Sequence, residues 1–227
     1  MPDASSPEFS PKDLQEIYNR RFQANLAYRN RVRQVLTADF FSRWIGPTDH
    51  VLDLGCGYCQ FINNIACAKK YGMDLNPSAT DHAAKNVTLI QQDCATRWPF
   101  DDNFLDAVFT SNFFEHLPTK SALQNTLREA FRCLKPGGKI IALGPNIRYL
   151  AAEYWDFFDH HLALSDKSLV EVLENTGFVV SESIPRFLPF TMVNSREYPP
   201  VFLRLYLRLR VAWAFVGKQF LVVARKP

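Results

Sequence analysis

Three aspartates, Asp53, Asp74 and Asp93, each stand at or just past the end of a short apolar segment, and they are spaced 21 and 19 residues apart. The segments are His50–Leu54 (HVLDL), Tyr71–Leu75 (YGMDL) and Val87–Gln92 (VTLIQQ), and each interval is about one strand–helix–strand unit. Four more short segments follow at Leu105–Thr110, Lys139–Leu143, Phe178–Ser183 and Phe220–Ala224. Between them, residues 60–69 read as helical. Ser121–Leu134 reads as an amphipathic helix closed by Pro136-Gly137-Gly138, and Ser165–Thr176 as a helix with Ser165 as N-cap and Gly177 past its end. Strands alternating with helices, each strand nearly all apolar, predict an α/β fold with a seven-stranded, mostly parallel sheet and helices on both faces. Ligands of such sheets bind beyond the carboxyl ends of the strands, so the three acids are expected to face one cleft.

Gly55-Cys56-Gly57-Tyr58-Cys59 follows the first strand. Glycines there let the backbone turn tightly and approach a ligand that a Cβ would exclude. Asp74, 19 residues after Gly55, is placed to accept the two hydroxyls of a ribose, and the whole arrangement predicts nucleoside binding. A dinucleotide fingerprint wants glycine at position 60, where Gln60 stands. Asp53 beside the turn would repel a pyrophosphate and favour an ammonium or sulfonium. A cationic adenosyl ligand suits this loop better than a diphosphate one.

VLDLGCGYC, the acid of YGMDLNP, the acid of QQDC, LDAVFTSNFFEHL and LKPGGKIIAL together resemble, in order and spacing, the motifs of class I S-adenosylmethionine-dependent methyltransferases over roughly residues 40–184. GPNIRYLAAEYWDFFDHH and GKQFLVVARKP also resemble a bacterial subgroup of these enzymes, of the type 11/23-like kind. The resemblance implies a Rossmann-like fold, S-adenosyl-L-methionine as cofactor and S-adenosyl-L-homocysteine as product. It also implies roles. Gly55, Cys56 and Gly57 would line the methionine end with Asp53 near its ammonium, Asp74 would hold the ribose, and Leu75 would lie against the adenine. Asp93 would accept from the adenine amino group with Cys94 beside it, and Asn112 and Phe113 would border cofactor and acceptor. The chain departs from the pattern at Cys59, where the family usually has a third glycine; its side chain is expected to narrow the loop without blocking it.

Methyl transfer from a sulfonium is a one-step displacement whose main demand is alignment. A base is needed only for an acceptor that must lose a proton, and Glu115 and His116, just after the fourth strand, are the nearest candidates. The aromatic insert from Asn146 to His161 follows the fifth strand, and Tyr149, Tyr154, His160 and His161 are its candidate acceptor-binding residues. An aromatic plug completing the core is the plainer alternative. No metal is expected there, because adjacent histidines usually diverge. Cys56-Gly57-Tyr58-Cys59 is also a C-x-x-C at a strand-to-helix turn, the usual place for a redox pair. That reading leaves Asp74, Asp93 and Pro136-Gly137-Gly138 without a role, and Asp53 would raise the thiol pKa. A metal held by Cys56, Cys59, Cys67 and Cys94 lacks a second closely spaced pair.

The 227 residues divide into a helical extension over 1–45, loose over the first ten residues, and a single domain over 46–227, with an insert at 146–164 and a cap segment at 196–217. The net charge of +3 is too mild for a nucleic-acid binder, yet it splits into +6 over residues 196–227 and −3 over the rest. VFLRLYLRLRVAWAFVGK alternates like a strand but follows Pro199-Pro200 like a helix, and the helix is expected. Such a basic, aromatic segment can pack as a substrate cap or rest on an anionic membrane through residues 200–217. With no signal peptide, no membrane-spanning run and five cysteines, the expected place is the cytoplasm, at most peripheral to the inner face of the membrane. The expected function is methyl transfer to a small organic acceptor at oxygen, a sugar- or lipid-linked molecule, the alternatives being a non-catalytic S-adenosylmethionine-binding regulator and a C-x-x-C redox protein.

Overall fold

The computed structural model of the chain describes residues 26–189 and 197–227. The expected loose end, the first part of the N-terminal helical stretch and Arg196 lie outside the described residues. Seven strands, β1 (His50–Leu54), β2 (Lys69–Met73), β3 (Val87–Ile90), β4 (Leu105–Ser111), β5 (Leu134–Pro145), β6 (Val179–Ile184) and β7 (Gln219–Arg225), form one sheet in the order β3-β2-β1-β4-β5-β7-β6. The first five pair in parallel, and β7 runs antiparallel between β5 and β6. Among the described residues, the helices of seven or more residues are α1 (Leu26–Asp39), α2 (Lys120–Cys133), α3 (Asp166–Thr176), α4 (Pro200–Arg208) and α5 (Arg210–Val216).

Side chains alternate across each central strand, and both faces are buried. Leu52 and Leu54 of β1, Ile140 and Ala142 of β5, and Phe220, Val222 and Ala224 of β7 join one core with Leu127 of α2 and Leu169 of α3. Val51, Ile141, Leu143, Leu221 and Val223 join the opposite core with Val35 and Leu36 of α1 and Trp213 of α5. Burial on both faces explains why these strands read as unbroken apolar runs. Helix α3 starts and stops where its caps dictate: Ser165 and Ser168 form a reciprocal capping box, and Gly177 closes it at φ 107°.

Two expectations fail locally. Residues 60–64 form turns and no helix develops through residue 68: the Asn63 and Ile65 amides donate to the Cys59 and Phe61 carbonyls (both 3.0 Å), and the side chains of Asn63 and Asn64 also bond backbone groups. Asn63 Nδ2 donates to the His82 carbonyl (2.8 Å), its Oδ1 accepts from the Ala84 amide (2.9 Å), and Asn64 Nδ2 donates to the Gln60 carbonyl (2.7 Å). Helix α2 stops at Cys133, ahead of Pro136-Gly137-Gly138 as expected, but that stretch does not precede the strand: it is absorbed into β5, whose register against β4 shifts between Leu105 and Ala107. The tail is helical as expected, in two pieces hinged at Leu209. It lies against α1 through ion pairs from Arg204 to Asp39 (2.7 Å) and from Arg31 to Glu197 (2.7 Å).

Candidate active site

Asp53 ends β1 on the α1 side of the sheet, and the chain then turns at Gly55 with φ 70°. A Cβ at Gly55 would stand 2.3 Å from the ring of Phe113, so that ring closes the turn from above and only glycine fits. The Asp74 carboxylate fixes the turn from the β2 side: Oδ2 accepts from the Gly57 amide (2.7 Å) and Oδ1 from the Asn76 amide (2.9 Å). Asn112, just past β4, takes φ 52°, a conformation that Asn tolerates better than most residues, and its amide donates to the Leu143 carbonyl (2.8 Å).

These elements border a cavity of about 460 Å³, within the range of small-molecule sites. Asp53, Gly55, Cys56, Gly57 and Asn112 line it together with Glu115, His116 and His160. Arg29 and Arg33 enter from α1, and Phe202, Tyr206 and Val216 come from the tail. The remaining sequence candidates lie off the cavity wall. Asp74, Leu75 and Asp93 sit along the neighbouring strand ends, with Leu75 and Asp93 exposed. Cys94 is buried, and its sulfur accepts from the Thr126 hydroxyl (3.2 Å). Tyr154 is wholly buried with its hydroxyl donating to the Leu162 carbonyl, so it plugs the core; Tyr149 and His161 also stay off the cavity wall. Of the three acids expected in one cleft, Asp53 lines this cavity, while Asp74 and Asp93 lie off its wall.

Burial dominates the electrostatics. It raises Asp53 to about 7, against the pull of the Arg33 guanidinium and the Ile62 amide. It lowers Arg33 to about 10, against the attraction of Asp53, with Arg29 adding repulsion. Burial likewise raises Glu115 to about 7, although neighbouring His116 opposes the shift. For His116 burial would lower the pKa, but the hydrogen bond to Asp159 and the charges of Glu115 and Asp159 outweigh it, so the net direction is upward. Arg29 and Arg33 read from sequence as part of a helix packed on the domain; their i, i+4 spacing was the signal that they share one face. Arg33 Nη2 donates to Ser111 Oγ (3.3 Å), while its buried Nη1 has no hydrogen-bond partner among the described residues.

Cys59 takes φ 54°, the left-handed region where the resembled family has glycine. Its side chain is fully buried and absent from the cavity wall, so it does not narrow the loop. Cys56 and Cys59 are free thiols with sulfurs 3.9 Å apart. The Cys59 hydrogen bond, then burial and the Asp53 charge, push the Cys56 thiol far upward, which opposes a reactive thiolate. No helix follows this turn to lower it.

Residues 52–142 match the family described as methyltransferase domain. Over that stretch the chain is similar to the class I S-adenosylmethionine-dependent methyltransferases. Among curated methyltransferases, the sarcosine/dimethylglycine N-methyltransferase of Halorhodospira halochloris is 32% identical over 130 residues, 50% of this chain and 43% of that protein. The demethylmenaquinone methyltransferase of Symbiobacterium thermophilum is 24% identical over 177 residues, 66% of this chain and 69% of that one. The match thus spans less than half of the first of these relatives. A crystal structure of an S-adenosylmethionine-dependent methyltransferase from Archaeoglobus fulgidus shares the fold, with TM-score 0.63 and 19% identity over 86% of this chain and 94% of that one.

The family's cofactor is S-adenosylmethionine, and the residues present fit it. The backbone of Gly55 and Gly57 lines the cavity, and buried Asp53 beside it suits a cation. The unsatisfied Nη1 of Arg33 suits a carboxylate, which the methionine end also carries. Among the described residues, no helix is long and apolar enough to cross a membrane.

Proposed function

We propose that this protein transfers the methyl group of S-adenosylmethionine to a small organic acceptor, at oxygen, and that the acceptor is sugar- or lipid-linked. The carrying observation is one cavity joining Asp53 and the glycine turn to the Glu115–His116 pair. When bound, the cofactor supplies an electrophilic methyl on a sulfonium. In this reading Asp53, Gly55 and Gly57 hold its methionine part, Arg33 meets the carboxylate, and Asp74, Leu75 and Asp93 receive the adenosine along the open strand ends. Glu115 and His116 form the polar part of the wall that orients the acceptor. His160 completes the acceptor wall that the sequence places in the insert.

The lipid-linked part of the proposal rests on the tail. Phe202 and Val216 line the cavity and are 57% and 50% exposed, so an apolar rim adjoins solvent at the pocket. Calorimetry with S-adenosylhomocysteine should show 1:1 binding, weakened at least tenfold by Asp74→Ala. Incubation with methyl-labelled cofactor and cell extract should then label a small molecule. No heat with the intact protein would sink the proposal, and binding without any labelled product would favour the regulator reading.

A further inference from the structure

We propose that Glu115, His116 and His160 form a site for a divalent transition-metal cation in the cavity wall. One ligand atom from each residue lies within 4.8 Å of the other two. Two imidazoles and one carboxylate, open on one side, are a donor set suited to zinc, iron(II) or manganese(II). The sequence argument against a metal holds for the histidine pair: His160 lines the cavity, and His161 does not. The set forms instead between His160 and a Glu-His pair from another part of the chain.

The support of these side chains points the same way. His116 Nδ1 faces the Asp159 carbonyl (2.9 Å) and carboxylate (3.2 Å), and His160 Nδ1 faces the Tyr154 carbonyl (2.8 Å). Both rings are therefore fixed through Nδ1, and Nε2 is the atom each would offer a cation. A carboxylate behind a histidine orients a metal-bound imidazole and raises its basicity. The Glu115 carbonyl accepts from the amides of His161 (2.8 Å) and Leu162 (3.1 Å), which locks the strap carrying His160 against the turn carrying the other two. Ligands around one zinc-like ion lie about 3–3.4 Å apart, so the side chains need close by only roughly 1.5 Å. The open side of the site faces the cavity, where an oxygen- or nitrogen-bearing acceptor would complete the coordination. That last role rests on the methyl-transfer reading; the metal site does not.

The full chain, stripped with a chelator, is titrated with Zn²⁺ alone and with Mn²⁺ alone by calorimetry. One equivalent of at least one ion should bind with micromolar or tighter Kd. Glu115→Gln and His160→Ala should each weaken that binding at least thirtyfold, whereas His161→Ala and the double change Cys56→Ser, Cys59→Ser should retain it. Each variant is first checked for S-adenosylhomocysteine binding, which separates lost ligation from lost folding. The Co²⁺ form of the unaltered protein needs no variant: nitrogen and oxygen ligation is expected. Absence of binding, a sulfur-to-cobalt charge-transfer band, or full retention in Glu115→Gln overturns the site. Metal binding without S-adenosylhomocysteine binding would leave the site standing and overturn the methyl-transfer reading alone.

Discussion

Cys59 occupies a left-handed backbone conformation, which costs a non-glycine residue about 1–2 kcal/mol. Its sulfur recovers part of this by burial, 3.6 Å from the Ala79 carbonyl. Cys59→Gly relieves the strain and deletes a buried group worth about 0.8 kcal/mol per methylene-sized unit. Denaturant unfolding should therefore move by no more than about 1 kcal/mol, with S-adenosylhomocysteine affinity unchanged. Cys59→Val, branched at a positive φ, should lose more than 2 kcal/mol, on the order of the strain expected there. A large loss of cofactor binding in Cys59→Gly would contradict the placement of its sulfur in the core.

Asp53 makes a prediction about pH. Its pKa is raised from 3.8 to about 7 in the folded protein, so the folded state keeps a proton that the unfolded chain releases. This carboxyl accordingly favours folding at low pH, and its contribution is lost as pH rises from about 4 through about 7. A cofactor ammonium prefers the ionised form, so affinity should rise with pH up to tenfold per unit below 7 and level off above it. Calorimetry from pH 5.5 to 8 checks this, and a flat profile in the unaltered protein, matching that of Asp53→Asn, would refute it.

At the scale of elements, the tail decides the most. Tyr206 donates to the Phe187 carbonyl (2.5 Å) and Trp213 buries against Phe40 and Phe187, so α4 and α5 are anchored to the second core. Their outer face carries Val201, Leu205, Val211 and Phe215, all more than half exposed, beside exposed Arg208 and Arg210. An anionic surface attracts each basic residue by about 1 kcal/mol, so the double change Arg208→Glu, Arg210→Glu should weaken binding to phosphatidylserine vesicles at least thirtyfold. Sedimentation with those vesicles should fall as salt rises. Equal recovery with neutral vesicles, or none with either, would remove the membrane contact. Periodicity alone favoured a strand here, because alternating Leu and Arg carry no record of the preceding Pro199-Pro200 or of the core waiting for Trp213. The reverse holds at residues 60–68, where helical-looking spacing gives only turns, with the Asn63 and Asn64 side chains bonded to the backbone.

For the whole molecule, legibility followed the range of the interaction. The caps of α3, the apolar strands and the acids at their ends were readable because each depends on neighbours within a few residues. Asp53 with its glycine turn was readable too, since one strand end and one turn build it. Arg33 opposite Asp53 was not, because that contact needs α1 laid across the sheet. The Glu115–His116–His160 cluster was hidden for the same reason: it exists only once the insert folds back and its amides reach the Glu115 carbonyl. Local spacing determined the sheet, the likeness to methyltransferase domains and the glycine turn beside Asp53. Long-range packing alone decided which charges face each other inside it, because the sequence order of two residues does not state the distance between them after folding.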